Sequence, residues 1–589
     1  MYAYINLELR VMRIGRSVVG AALFSSLAII AGCRSSSVAV THPTIRSTDG
    51  IGLAADLILP SGVPATGVPT VLIQTRYWRS FRLIGGGGGG RIPQGPRDGI
   101  VARLHAAGYA VVVTDVRGTG ASEGEWPWPW SAGEVGDMGA IIDWIVAQPW
   151  SNGAVGATGV SYEGTTALLA AAAGRPALKA VLARQIEWEL VDETLAPGGV
   201  RNIAFVDVWS RAVHDLDHGT YPEMFPSFAR WVTRGVQRRD DDRDGVALRA
   251  LQAARPASSV AQRAAAVRQA HDRFGPDGPP TDSLGPAGHV SALATTSAVV
   301  GIWGSWWDGA TADAVFRATR AMPILEARIG PWDHEGTANA SPLRRGASET
   351  PTVSLDSVVA FFSRHLSPSA ANGEPRGRPA PTYAWFVAGT ERWQRATAWP
   401  TTQERAWTVA GNRLNDNMSE GDTSLRIGDA MMPLVVNYDA TTGRLNRWTS
   451  GLARPVDAPD RARAVGLRSW TSATLATPLR VFGAGRFTCR LVADAPDAAL
   501  HVYVESIDPG GHVRLLTEGT QRLQHAVESL DVEVRVRPVA FELPAGWALR
   551  FSIAGADAST FERVPASGGQ RLVLDGRQCQ LVLPVLPPA

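Results

Sequence analysis

The sequence predicts an α/β domain on a mostly parallel sheet, interrupted by a helical insertion and followed by an all-β sandwich. Three observations predict it. Over 34–186, short apolar strands alternate with helical segments, the pattern of a parallel sheet covered on both faces. Over 187–295 this alternation gives way to helical composition rich in charge and aromatics, and it resumes over 296–378. Over 379–589 the chain becomes short strands divided by turns, as in a jelly-roll-like sandwich. A chain of 589 residues, 45% of them apolar, has room for several such units.

The first element is a targeting segment. Arg10, Arg13 and Arg16 precede "VVGAALFSSLAIIAGC", a positive flank and a short apolar run ending in small residues. Residues 1–33 therefore read as an export signal. Ile30-Ala31-Gly32-Cys33 is similar to a bacterial lipobox, which implies cleavage before Cys33, lipidation of its thiol and a membrane anchor. A plain signal peptide or an uncleaved anchor are the alternatives. Export places Cys489 and Cys579 where disulfides persist, so a bridge and two buried free thiols both stand.

The strand–helix units follow. "VPTVLIQTRY", "GYAVVVTDVRG", "GAVGATGV", "ALKAVLARQ", "SAVVGIWGSWWD" and "PILEARIGPWDH" read as buried strands. "GEVGDMGAIIDWIVAQPW", "YEGTTALLAAAAG" and "LDSVVAFFSRHL" read as helices. The 187–295 insertion is placed where lids over active sites commonly form. In the sandwich, "DPGG" at Asp508–Gly511 is a hairpin signal.

Composition excludes some chemistry. A net charge of +2 gives no long-range pull toward nucleic acid. Lys179 is the only lysine, so Schiff-base and Ser-Lys mechanisms would have to use it. No C-x-x-C pair exists for a cysteine zinc site. His214 and His218 in "HDLDH" lack an obvious third metal ligand. "DDDRDG" (240–245) imitates a calcium loop but has Leu251 at its twelfth position. The glycine run 85–90 lacks the strand–turn–helix context of a phosphate site.

Three residues stand at strand ends in the order Ser, Asp, His. Ser161 lies between a strand and a helix, although the glycine expected two residues later arrives only at Gly164. Asp308 in "GSWWDGAT" and His334 in "RIGPWDHEG" follow the next apolar strands after the insertion. Each has a bland reading alone: a helix cap for Ser161 or Asp308, a loop histidine for His334.

Taken together, "GVSYEG", "DVRGTGASEG", "WWDG" and "IGPWDH" resemble the cocaine esterase and X-Pro dipeptidyl-peptidase family of α/β-hydrolases. That resemblance implies Ser161 as nucleophile, Asp308 as triad acid and His334 as base. It also implies an oxyanion hole from the hydroxyl of Tyr77 in "QTRYWRS" and the backbone N–H of Tyr162. Trp78, Trp126, Trp307 and Trp332 flank these loops and suggest an apolar substrate pocket. The related α-amino acid ester hydrolases carry acids just after the triad aspartate, where this chain has Gly309 and Ala310.

The expectation is thus an exported, lipid-anchored serine hydrolase that faces the periplasm or exterior and acts on small esters, amides or short peptides. It needs neither metal nor organic cofactor. Release of Xaa-Pro dipeptides is the second enzymatic reading, with Asp192, Glu193 or Asp207 as candidate anchors for a peptide N-terminus. A catalytically silent binding lipoprotein is the rival from another class.

Overall fold

Seven parallel strands form the centre of the sheet in the first part of the chain. The strands of this part of the chain are β1 (Ala39–Thr41), β2 (Thr44–Arg46), β3 (Gly52–Leu59), β4 (Val68–Thr75), β5 (Phe81–Leu83), β6 (Ala110–Asp115), β7 (Ser151–Val160), β8 (Leu178–Arg184), β9 (Thr233–Val236), β10 (Val299–Ser305), β11 (Glu326–Gly330), β12 (Thr382–Val387) and β13 (Arg392–Ala396). The sheet runs β1-β3-β6-β4-β7-β8-β10-β11-β12-β13, with β6 through β12 parallel and β3 and β13 antiparallel to their neighbours. The computed structural model describes residues 38–84, 97–223, 229–256, 259–344, 353–366, 380–416, 431–452 and 459–587. Residues 1–33, Cys33 included, and the glycine run 85–90 lie outside these.

The strand sequences explain the layering. All six residues of β6, "AVVVTD", are buried, as in a strand covered on both sides. Val71, Ile73, Val111, Val113 and Leu182 pack against the helices Asp98–Ala106 and Leu355–Leu366. Leu72, Val112, Val181 and Ala183 point to the opposite core, shared with the helices Ala132–Val146, Tyr162–Leu169 and Thr311–Ala321. The insertion is mostly short helices, the longest being Ile203–Asp217, and β9 ties it to the sheet domain by pairing with β5.

One boundary differs from the sequence reading. "TYAWFVAG" reads as sandwich, yet β12 pairs in parallel with β11, and β13 closes that edge. Without them β11 would present an open row of backbone groups, which folded proteins cover. The sandwich proper starts with the strand Gln403–Ala410. Its organising strand is the last, Arg571–Val585, which pairs with Gln403–Ala410, Met432–Val435 and Arg486–Ala493. Cys489 and Cys579, on two of these strands, form a disulfide. The turn at Asp508–Gly511 joins the paired strands Asp497–Ile507 and Val513–Gln524.

A buried charge network joins the three parts. From the sandwich, Arg537 donates to the Asp192 backbone carbonyl at 2.9 Å and to its carboxylate at 2.8 and 3.0 Å. From the sheet domain, Arg317 reaches the same carboxylate at 2.7 Å and Glu193 at 3.0 Å. Burial would raise the Asp192 pKa, but Arg537, Arg317 and Arg535 outweigh it and hold the group far below the carboxylate range. Asp192 is therefore a structural junction. Replacing Arg537 with Ala is expected to lower stability by about 2 kcal/mol, read as a fall in melting temperature. That is less than for a fully enclosed pair, because the Asp192 side chain stays 33% exposed.

Candidate active site

β7 ends at Val160 and the helix Tyr162–Leu169 begins two residues later, so Ser161 alone makes the turn. Its backbone sits at φ 62° and ψ −130°, which costs a non-glycine residue about 1–3 kcal/mol. Two glycines allow the strand and helix to approach. A Cβ on Gly159 would lie 2.3 Å from the Glu163 carbonyl carbon, and one on Gly164 would lie 2.3 Å from the Arg184 carbonyl oxygen. Position 164, not 163, meets β8. The displaced glycine therefore does the work the turn requires, and Glu163 is free to accept from Arg97 Nε at 2.6 Å.

Asp308 and His334 lie on the loops after β10 and β11, parallel neighbours whose C-terminal ends are adjacent. The Ser305 hydroxyl donates to the Trp332 carbonyl at 2.5 Å, and Trp306 N–H donates to the Gly330 carbonyl at 3.0 Å, holding the loops together. His334 Nδ1 meets the Asp308 carboxylate at 2.8 and 3.0 Å. Both side chains are buried. Ser161, Asp308 and His334 line one small cavity of about 40 Å³ with Glu187, Asn202, Phe205 and Ser450. Burial pulls the His334 pKa down, but the charge and hydrogen bond of Asp308 prevail and lift it to about 9.

Tyr77 follows β4 on a loop fixed by buried charge. Arg79 donates to Asp115 through its backbone N–H and its guanidinium, both at 2.7 Å, and to Asp56 at 2.8 Å. A Cβ on Gly120 would lie 2.2 Å from the Asp115 carboxyl carbon, so Asp115 and Gly120 of "DVRGTGASEG" are a packing device for this loop. The Tyr77 hydroxyl accepts from Trp209 Nε1 at 2.9 Å, which leaves its own proton free to donate. Burial raises the pKa of this phenol and keeps it protonated. The Tyr162 hydroxyl is taken up instead by the buried Glu134 carboxyl at 2.8 and 2.9 Å. Burial pushes that carboxyl up to about 8.

The four tryptophans do not make a pocket around Ser161. Trp78 is fully buried, with its Nε1 on the Leu216 carbonyl at 3.0 Å. Trp307 donates to the Leu516 carbonyl of the sandwich at 3.0 Å. Trp332 packs with Trp303 and Trp393 on the far core. Trp126 donates to the Tyr162 hydroxyl at 3.0 Å and stacks under Arg76, lining a separate cleft. Large indoles settle where their N–H finds a partner, a carbonyl for Trp78 and Trp307 and the Tyr162 hydroxyl for Trp126, whereas Trp332 is held by aromatic packing.

The other sequence features have plain structural roles. Asp192 and Glu193 are bound by Arg317, and Asp207 by Arg201. Asp242 of "DDDRDG" accepts from the N–H groups of Ala247 and Leu248 at 2.9 and 2.8 Å, starting the helix Val246–Ala254. Among the described residues, no group of three or more His, Cys, Asp or Glu could hold a metal ion. Trp209, Glu187 and Ser450, which sequence reasoning missed, carry no motif. Only folding brings them to the site.

A serine on a strained strand-to-helix turn, with an Asp–His pair at neighbouring strand ends of this sheet, defines the class: an α/β-hydrolase. Residues 49–336 match the family described as X-Pro dipeptidyl-peptidase (S15 family), and residues 378–580 match the X-Pro dipeptidyl-peptidase C-terminal non-catalytic domain. A Mycobacterium bovis protein named as a serine esterase is 30% identical over 92% of this chain and 95% of its own. Cocaine esterase of Rhodococcus sp. (strain MB1 Bresler) is 26% identical over 81% of this chain and 82% of its own. An aminopeptidase structure from a Thaumarchaeota archaeon of marine sediment shares the fold, with TM-score 0.69 at 16% identity over 94% of this chain and 97% of that one. The chain belongs to the X-Pro dipeptidyl-peptidase-like family that includes cocaine esterase, and it is a hydrolase.

Three outcomes follow from the geometry. Gly164→Ala is expected to push the turn away from β8 and lower kcat by at least ten-fold, with the protein still folded by circular dichroism. A base role for His334 requires the neutral imidazole, and under that role kcat/KM for an uncharged ester should rise with pH on a limb above the ordinary imidazole value, toward 9. Asp308→Asn should move that limb down, because the charge that lifts His334 is gone.

Proposed function

We propose that the protein hydrolyses ester or amide bonds of small acyl compounds through an acyl-enzyme on Ser161. His334 takes the serine proton as Ser161 attacks the carbonyl, then returns it to the leaving group. A water activated by the same histidine releases the acid. Asp308 holds the imidazole with Nδ1–H toward the carboxylate and offsets its charge when protonated. The Asp308–His334 pair in one cavity with a serine on a strained turn is the observation that carries this reading.

The negative charge built on the carbonyl oxygen needs pre-aimed donors. The Tyr77 hydroxyl, with its proton free, is one. The Tyr162 N–H is the other: it opens a helix, where N–H groups have no partner within the helix. Ser161→Ala is expected to lower p-nitrophenyl acetate turnover by at least about 10³-fold. Tyr77→Phe should lower kcat by roughly 10²-fold with little change in KM. Full turnover by Ser161→Ala would place the nucleophile at another residue, and a folded wild type that leaves both this ester and Gly-Pro-p-nitroanilide untouched would favour a binding protein instead.

Glu187 supports a second reading, the release of Xaa-Pro dipeptides. Its carboxyl lines the cavity, accepts from Thr165 Oγ1 at 3.2 Å, and is pushed up to about 7 by burial, with His334 opposing. A cationic peptide N-terminus would suit it. Turnover of Gly-Pro-p-nitroanilide, lost in Glu187→Gln while the acetate ester is still cleaved, would establish this reading. Absence of turnover leaves the esterase.

Lipid anchoring at Cys33 rests on the sequence, and the Cys489–Cys579 disulfide fits an oxidising compartment. Cys33→Ser should abolish labelling by a fatty-acid probe and free the protein from membranes.

A further inference from the structure

The matched family description calls the C-terminal domain non-catalytic. Yet a turn of that domain, Arg447–Leu452, enters the site. The Ser450 hydroxyl donates a short hydrogen bond to Asp308 Oδ1, an oxygen that also faces His334 Nδ1 at 3.0 Å. Ser450 is 1% exposed and Asp308 2%, so no solvent competes for the contact. The same turn is fastened to the aspartate loop, since Gly309 N–H donates to the Arg447 carbonyl at 2.8 Å. Gly451 completes the approach: a Cβ there would sit 2.9 Å from Phe205 and 3.7 Å from His334 Cε1.

We propose that Ser450 is a positioning residue for hydrolysis, a donor from the C-terminal domain that fixes the orientation of Asp308 and, through it, of His334. The hydroxyl has one proton and two acceptors in reach, Asp308 and the Arg447 carbonyl at 2.8 Å. The charged acceptor is the stronger. Among the described residues, the imidazole is the side-chain partner that the sheet domain gives the Asp308 carboxylate; the second comes from the C-terminal domain, 142 residues further along the chain. A carboxylate with one partner can rotate about its Cβ–Cγ bond. With the Ser450 hydroxyl on Oδ1 as well as the imidazole, that rotation is opposed.

The inference rests on the Ser161–His334–Asp308 reading, and the test separates the two. Steady-state kinetics with p-nitrophenyl acetate would be measured from pH 5 to 10 for wild type, Ser450→Ala, Ser450→Thr, Ser161→Ala and Asp308→Asn, with melting temperatures. Ser450→Ala should lose roughly ten-fold in kcat at unchanged KM, the loss expected for one hydrogen bond to a charged group. Its acid limb should move to higher pH by about half a unit, because a carboxylate that has lost a donor holds the imidazolium more tightly. Glu187, Glu335 and Arg447, the other charged groups acting on the pair, are unchanged in this variant. Ser450→Thr keeps the donor and should restore both kcat and limb. Wild-type kcat and limb in Ser450→Ala would overturn the inference while leaving the triad intact. So would an equal loss in Ala and Thr variants that tracks a fall in melting temperature. Full activity in Ser161→Ala or Asp308→Asn would instead overturn the triad reading itself.

Discussion

The site depends on one backbone constraint, the left-handed turn at Ser161. An L-residue reaches φ 62° only where its surroundings force it. Here the force is close packing: the helix after Ser161 lies so near β7 and β8 that only glycine fits at 159 and 164. The turn lifts the serine side chain off the sheet, at the C-terminal edge where β10 and β11 deliver Asp308 and His334. Because the four strands β7, β8, β10 and β11 are consecutive parallel neighbours, hydrogen-bond register alone brings residues 147 and 173 positions downstream of the serine to one edge.

The sheet domain supplies Ser161, Asp308 and His334, and the other two parts of the chain contact the loops around them. Trp209 from the insertion binds the Tyr77 hydroxyl, and Ser450 from the sandwich binds Asp308. The Asp192–Arg317–Arg537 network keeps insertion, sheet domain and sandwich in fixed relation. Buried charges of this kind are costly to leave unpaired, so they define which arrangement of the parts is tolerated. A sandwich that merely rested against the hydrolase domain would not need Arg537 to reach through to it.

Much of this was legible in the sequence because parallel strands are near-continuous apolar runs and their ends are abrupt. Ser161, Asp308 and His334 could be singled out for that reason: each follows an apolar run and precedes a turn. Tyr77 was legible only through the motif resemblance. Trp209, Glu187 and Ser450 were not legible at all, since none belongs to a motif, and the helix that carries Trp209 does not by itself say what its indole meets. The tryptophans misled because proximity in sequence to a site loop says nothing about which core an indole enters; Trp307 is two residues from Ser305 yet donates into the sandwich. The β12 strand misled for a related reason. An edge strand of a parallel sheet and a sandwich strand share the same short apolar pattern, and only the open edge of β11 decides between them.

The most direct test of the account is to trap the acyl-enzyme. The protein would be quenched in acid within the burst of p-nitrophenyl acetate hydrolysis, digested, and mapped by mass spectrometry. The account predicts one acetyl group, on Ser161, absent from the Ser161→Ala variant. An acetyl group on another residue, or steady turnover with no acylated peptide and unchanged rate in Ser161→Ala, would contradict it.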